Sequence, residues 1–157
     1  MSYDLMVFDP AVAPRDRDAF VAWYHEQAEW SEGHSYDDPA NTTPGLRAWY
    51  EEMRQTYPNM NGPGAPSDDD LMTPGVEDRL CDYCIGHHVI YAGFRWSLAE
   101  EVYPLVRRLA VEHQVGFYDV SGDDGAGEIY FPGDELKPES GGAWRDISRQ
   151  FRELDNQ

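Results

Sequence analysis

Three features of this sequence predict an α+β fold. The first lies between His87 and Val120, where His88, Ile90, Ala92, Phe94 and Trp96 alternate with a second set of side chains. That period of two fits a strand buried mainly on one face. The second follows directly: Leu98, Val102, Leu105, Val106 and Leu109 recur at helical spacing and lay an apolar stripe on a core. Ser97 and Glu100 have the S-x-x-E spacing of a capping box at its start. Gly116 suits its exit, and Val115 to Val120 reads as the next strand. The third is the order of elements along the whole chain: strand, helix, helix, strand, strand, helix, strand, strand. Such an order is most simply a ferredoxin-like antiparallel sheet with helices packed on one face.

Each element has a local reason. Tyr3 to Phe8 (Y-D-L-M-V-F) reads as the first strand, and Pro10 and Pro14 bracket a loop. Asp16 or Asp18 is placed to cap a helix running to about Trp30, with Phe20, Trp23, Tyr24 and Ala28 as its apolar face. Pro44-Gly45 opens a second helix, Leu46 to Gln55. Residues 56–79 carry Pro58, Gly62, Pro63, Gly64, Pro66, Pro74 and Gly75, and read as a long surface loop with a turn at Asn61-Gly62. Asp82 to Ile85 is a short strand that turns at Gly86. Ser121 to Gly125 is a turn, and Glu128 to Phe131 a final strand. Residues 132–157 form a C-terminal extension whose helix, Ala143 to Leu154, repeats Trp144, Ile147, Phe151 and Leu154 at helical spacing. Pro104 sits within the expected long helix and predicts a kink near Glu100–Pro104.

The chain of 157 residues reads as one domain, 1–157. Met1 to Pro10 has no positive n-region, and no apolar run is long enough to span a bilayer. Two cysteines make no disulfide framework. A cytoplasmic protein is the simplest expectation.

Charge is the unusual property. Thirty acids face twelve bases, for a net charge of −18. Such a field repels nucleic acid and anionic membranes and attracts basic partners. Solubility, or adaptation to high salt, is the plainer explanation of such a surface. The distribution speaks for acidic faces instead. Residues 1–70 hold 14 acids and 4 bases, and 115–157 hold 10 and 4, while the central 71–114 holds 6 and 4. No Lys or Arg lies between Arg17 and Arg47. That interval holds Glu26, Glu29, Glu32, Asp37 and Asp38 interleaved with Trp30 and Tyr36. Asp68, Asp69 and Asp70 form a second base-free run, although the spacing of a calcium loop is missing.

Two groups of residues suggest chemistry. Cys81, Cys84, His87 and His88 offer two thiols and two imidazoles, the ligand types of zinc. Yet positions three apart on a strand face opposite ways, and the histidine spacing fits no finger. His25, His34 and His113 show no nucleophile or orienting partner in sequence. Tyr91, Arg95 and Tyr118 could share a sheet face as in RNA-binding sheets, but the charge argues against RNA. No catalytic set, metal or cofactor is expected.

The segments Y-D-L-M-V-F-D-P, W-Y-H-E-Q-A-E-W, Y-P-N-M-N-G-P, H-H-V-I-Y-A-G-F-R-W-S and V-G-F-Y-D-V-S-G together cover about residues 3–131. Together they make the chain similar to a family of small acidic bacterial immunity proteins. Those proteins are paired with secreted antibacterial toxins, including type VI secretion effectors. The resemblance implies a non-catalytic protein that binds and occludes a cognate toxin in the producer's cytoplasm. A basic nuclease, such as a DNase, fits the charge. The motifs carry no toxin-binding residue. Composition alone places the expected contact at Glu26, Glu29, Trp30, Glu32, Tyr36, Asp37 and Asp38, with Asp68, Asp69 and Asp70 as a second contact. Trp30 and Tyr36 would be its anchors. The alternative is a small metal-binding protein or enzyme centred on Cys81, Cys84, His87 and His88.

Overall fold

The structure is a computed structural model that describes residues 2–122, 127–135 and 144–155. Its elements in chain order are β1 (Tyr3–Phe8), α1 (Arg17–Gln27), α2 (Pro44–Thr56), α3 (Asp68–Leu71), β2 (Asp82–Ile85) and β3 (Val89–Phe94). They continue with α4 (Ala99–Glu112), β4 (Gly116–Tyr118), β5 (Ile129–Tyr130) and α5 (Trp144–Asp155). All five strands join one sheet in the order β2-β3-β1-β4-β5, every pairing antiparallel. The first four strands have the ferredoxin-like order, and β5 extends the sheet beyond β4. The α+β fold is as the pattern of elements predicts.

β1 is the centre of the molecule and is buried on both faces. Tyr3, Leu5 and Val7 point to one core, where Ile90, Ala92, Phe94 and Phe117 join them. α2 covers this side with Leu46, Trp49, Tyr50 and Met53, and α4 covers it with Val102, Tyr103, Val106 and Leu109. Met6 and Phe8 point to a second core with Val89, Tyr118, Phe131 and Phe20 of α1. Packing on one face therefore describes α2 and α4, while α1 adds a layer on the other. The reason is its aromatics. Phe20 meets Phe8 and Tyr118 edge-on, with ring centroids 4.9 and 5.1 Å apart. Pairs of this kind contribute about 0.5–1.5 kcal/mol each beyond their buried area.

Local details depart from expectation for physical reasons. Helix α4 has no Ser97–Glu100 capping box; its N-cap is Leu98 without a side-chain bond. Trp96–Leu98 instead forms a tight 3₁₀ turn, held by Trp96 packing 5.1 Å from Tyr3. Pro104 lies inside α4 and offers no N–H to the Glu100 carbonyl. At the helix exit the left-handed residue is Gln114, with φ +57°, and Gly116 belongs to β4. A Cβ at Gly116 would overlap the Phe8 ring.

The loop over 56–79 is not wholly superficial. Tyr57 and Asn59 are buried, and Pro58 to Met60 hydrogen-bonds to Cys81. In α5, Ile147 reaches the first core, but Phe151 and Leu154 are 37% and 61% exposed, so the expected apolar stripe is only partly used. The Trp144 side chain, most of the turn expected at Ser121–Gly125 and Ala143 lie outside the described residues.

Candidate functional site

The site begins with how α1 ends. Asp16 caps its first turn by accepting from the Ala19 amide at 3.0 Å. The helix stops at Gln27, and Trp30 takes the left-handed conformation, φ +51°, which is uncommon for so bulky a residue. That backbone turns the indole onto Tyr36 and Tyr91, at centroid distances of 5.2 and 6.1 Å. Tyr36 is itself fixed. Its hydroxyl accepts from the Glu32 amide at 2.7 Å, and its carbonyl accepts from the Ile85 amide at 2.8 Å. The 30–36 segment is thus sewn to β2, the edge strand of the sheet.

Between this segment and the sheet lies a cleft of about 280 Å³ lined by Asp4, Tyr24, Trp30, Asp82, Cys84 and Tyr91, among others. Tyr24 and Tyr91 lie nearly parallel, 6.5 Å apart. Asp4 accepts from the Tyr91 hydroxyl at 2.5 Å and from the Ser2 hydroxyl at 2.5 Å. Asp82 accepts from the Asn61 side-chain amide at 3.2 Å. A second hollow of about 250 Å³ adjoins it, sharing Asp82 and Cys84 and adding Tyr36, Asp37 and Asn61. Among the described residues no Lys or Arg lines either hollow.

Burial, followed by the Asp4 carboxylate, pushes the Tyr91 phenol up, and burial also raises Tyr24. Burial together with Asp82 and Asp4 pushes the Cys84 thiol up to about 11, so it stays protonated and is a poor nucleophile. Three aromatic rings and two carboxylates around one opening are the chemistry of a receptor for a cation.

The residues expected from sequence scatter in role. Trp30 and Tyr36 are half-buried and meet each other, with Trp30 also packed against the second core. Glu26 and Glu29 are exposed. Glu32 is not a simple rim acid: it accepts from the His87 amide at 2.9 Å and contacts His34 at 2.6 Å. Asp37 accepts from Ser35 at 2.6 Å, and Asp38 caps the short turn Pro39–Asn41.

Asp68, Asp69 and Asp70 are exposed and form α3, where Ser67 and Asp70 cap one another. No hydrogen bond or ion pair among the described residues ties them to the 26–38 segment. Cys81 faces the first core and Cys84 the cleft, so the structure does not bring Cys81, Cys84, His87 and His88 together. Tyr118 is buried beneath α1 and Arg95 pairs with Asp78, so Tyr91, Arg95 and Tyr118 make no open sheet face.

Sequence reading missed Asp4 and Asp82. The signal was present for Asp4: it is a charge inside an apolar strand, on the same face as Met6 and Phe8. It also missed the carboxylate partners of His34 and His113: Glu32, only two residues before His34, and Glu52, which only folding brings near His113. A further cavity, about 640 Å³, is the groove between α5 and the start of α4. Its charges are paired, Arg95 with Asp78, Arg152 with Glu100, and Glu101 with Arg79 outside the groove, which leaves it little to offer a ligand.

No protein-family model, curated protein or solved structure matches the chain. No helix among the described residues is long and apolar enough to cross a membrane.

Proposed function

We propose that this protein binds and occludes a basic protein partner, as do the immunity proteins it resembles. The partner in this reading is a secreted antibacterial toxin, most simply a nuclease, neutralised in the producer's cytoplasm. The observation that carries the reading is the cleft between Trp30 and the sheet. A Lys or Arg side chain entering it meets Tyr24, Trp30 and Tyr91 with its apolar stem and charge, and Asp4 and Asp82 with its head. Cation–π contact and charge-assisted hydrogen bonds then act in a partly dehydrated place, where both are stronger than in water. A nuclease carries bases because its substrate is a polyanion, so its own substrate surface is the complementary one. Net charge −18 supplies the long-range attraction.

The reading expects the neighbouring open reading frame to encode a basic toxin, and co-expression with its product is the test. The wild-type chain should restore growth, and the Asp4→Asn/Asp82→Asn variant should protect poorly while melting as the wild type does. If the wild-type chain neither protects nor binds that protein, the reading fails.

A further inference from the structure

The loop that carries Trp30 and Tyr36 meets the turn between β2 and β3 through one carboxylate and two imidazoles. Glu32, His34 and His87 place a ligand oxygen and two ligand nitrogens within 4.8 Å of one another. The Nε2 atoms of His34 and His87 lie 2.6 and 3.9 Å from the same Glu32 oxygen.

What orients the rings is the backbone. His34 Nδ1 is 2.7 Å from the Ser35 carbonyl, and His87 Nδ1 is 2.8 Å from the Asn41 carbonyl. Each Nδ1 therefore carries a proton; His34 Nε2 donates to Glu32 while that ring is charged, and once it gives up that proton both Nε2 atoms can offer a lone pair to an ion beside Glu32. This is the outer-shell arrangement that metal-binding histidines use to fix tautomer and ring direction. The rings are also close to each other, with centroids 4.6 Å apart. The same Glu32 oxygen also accepts from the His87 amide at 2.9 Å, so the carboxylate stays beside the Gly86–His87 turn.

We propose that Glu32, His34 and His87 form a binding site for a divalent transition-metal ion, zinc being the best suited. Two imidazole nitrogens and a carboxylate oxygen are an established zinc ligand set. Ligand atoms around tetrahedral zinc stand about 3.3 Å apart, given metal–ligand bonds of about 2.0–2.2 Å. The observed 2.6 and 3.9 Å contacts bracket that spacing, so changes of about 0.7 Å or less bring both to it. His87 is half exposed, which leaves the fourth position to water. The ion replaces any proton on His34 Nε2, and that proton goes to solvent.

The ion would pin 32–34 to the β2–β3 turn, and so set the cleft wall made by Trp30 and Tyr36. The second cluster of candidate ligands among the described residues is Glu52, Glu112 and His113. It offers a single imidazole and two exposed carboxylates, and is a built-in control.

The test is titration of the purified, chelator-treated chain with zinc alone, read by calorimetry and by the histidine ring ¹⁵N resonances. One equivalent should bind. The Nε2 resonances of His34 and His87 should move, while those of His25 and His113 stay. His34→Gln and His87→Gln should each abolish stoichiometric binding, and Cys84→Ser and His113→Gln should leave it intact. The resonance shifts need no variant, so a misfolded substitution does not blunt the experiment. No zinc binding, binding unchanged in both histidine variants, or binding lost only in Cys84→Ser or His113→Gln overturns the assignment. None of these readouts involves a protein partner, so they stand or fall apart from the occlusion of a toxin.

Discussion

Trp30 shows how one residue can serve both packing and recognition. Its left-handed backbone is a cost that the contacts with Tyr36 and Tyr91 offset. It is half-buried rather than enclosed, so Trp30→Ala should keep the fold. In a complex it should cost about 2 kcal/mol or more, roughly thirtyfold in affinity. Calorimetric binding beside a thermal melt separates the two effects. If the melt collapses instead, Trp30 is core and not an anchor. Gly116 makes the opposite case, a residue whose whole role is to be small. Because a Cβ there meets the Phe8 ring, Gly116→Ala should destabilise by about 1–3 kcal/mol in denaturant unfolding without touching the cleft.

Among the elements, α4 is tied by a buried ion pair to Glu128, the residue before β5. Arg107 makes two bonds to Glu128, at 2.8 and 2.9 Å, and Tyr103 adds a third at 2.9 Å. Both charged side chains are largely buried, 8% and 14% exposed. Removing one partner strands the other, so Arg107→Met should cost about 3–5 kcal/mol. Arg107→Met with Glu128→Leu should recover much of that loss, since a buried ion pair is often replaceable by apolar groups. Equal losses in the single and double variants would show that a stranded Glu128 charge is not the source of the cost.

The loop from Trp30 to Asp38 has its own pH dependence. Burial pushes the Glu32 carboxyl up, but the His87 amide and His34 outweigh it and hold it below its ordinary value. The Ser35 carbonyl, then Glu32, raise His34. A lowered acid stabilises above its ordinary value and loses that contribution as pH falls through the lowered one. A raised imidazole stabilises below its ordinary value and loses that contribution as pH rises through the raised one. The pair therefore contributes most between the ordinary carboxylate and imidazole values. In chelator, His34→Gln should lose stability most near about pH 5.5 and almost nothing near about pH 9, by less than about 1 kcal/mol. A difference that grows toward alkaline pH would contradict the pairing.

At the scale of the whole molecule, charge acts at a distance. The excess of acids over bases gives a field that reaches about 10 Å into 0.1 M salt. Association with a basic partner should slow as salt rises from low to physiological strength, while dissociation changes little. Stopped-flow mixing measures both rates. An association rate indifferent to salt would remove steering from the account and leave only the contacts in the cleft.

Much of this fold is local information. The period of two in Val89–Phe94 and the helical period through Val102, Val106 and Leu109 dictate element type wherever the chain is placed. Asp16 caps its helix through a bond spanning three residues, a range that reading in order captures; Thr43 and Ser67 cap theirs in the same way but went unread, and α3 after Ser67 lies in a stretch expected to be a loop. The excess of acid is likewise plain from composition.

The cleft was not readable in this way. Asp4, Trp30, Asp82 and Tyr91 are far apart in sequence and meet only because β3 inserts between β1 and β2, with α1 laid over the face they share. Strand order depends on which faces bury most against each other, a sum over the whole chain that no window contains. The same holds for Glu32 and His87, 55 residues apart. A sequence shows which side chains carry charge and ring; tertiary structure decides which of them face one another, because only closing the core brings distant strands within bonding distance.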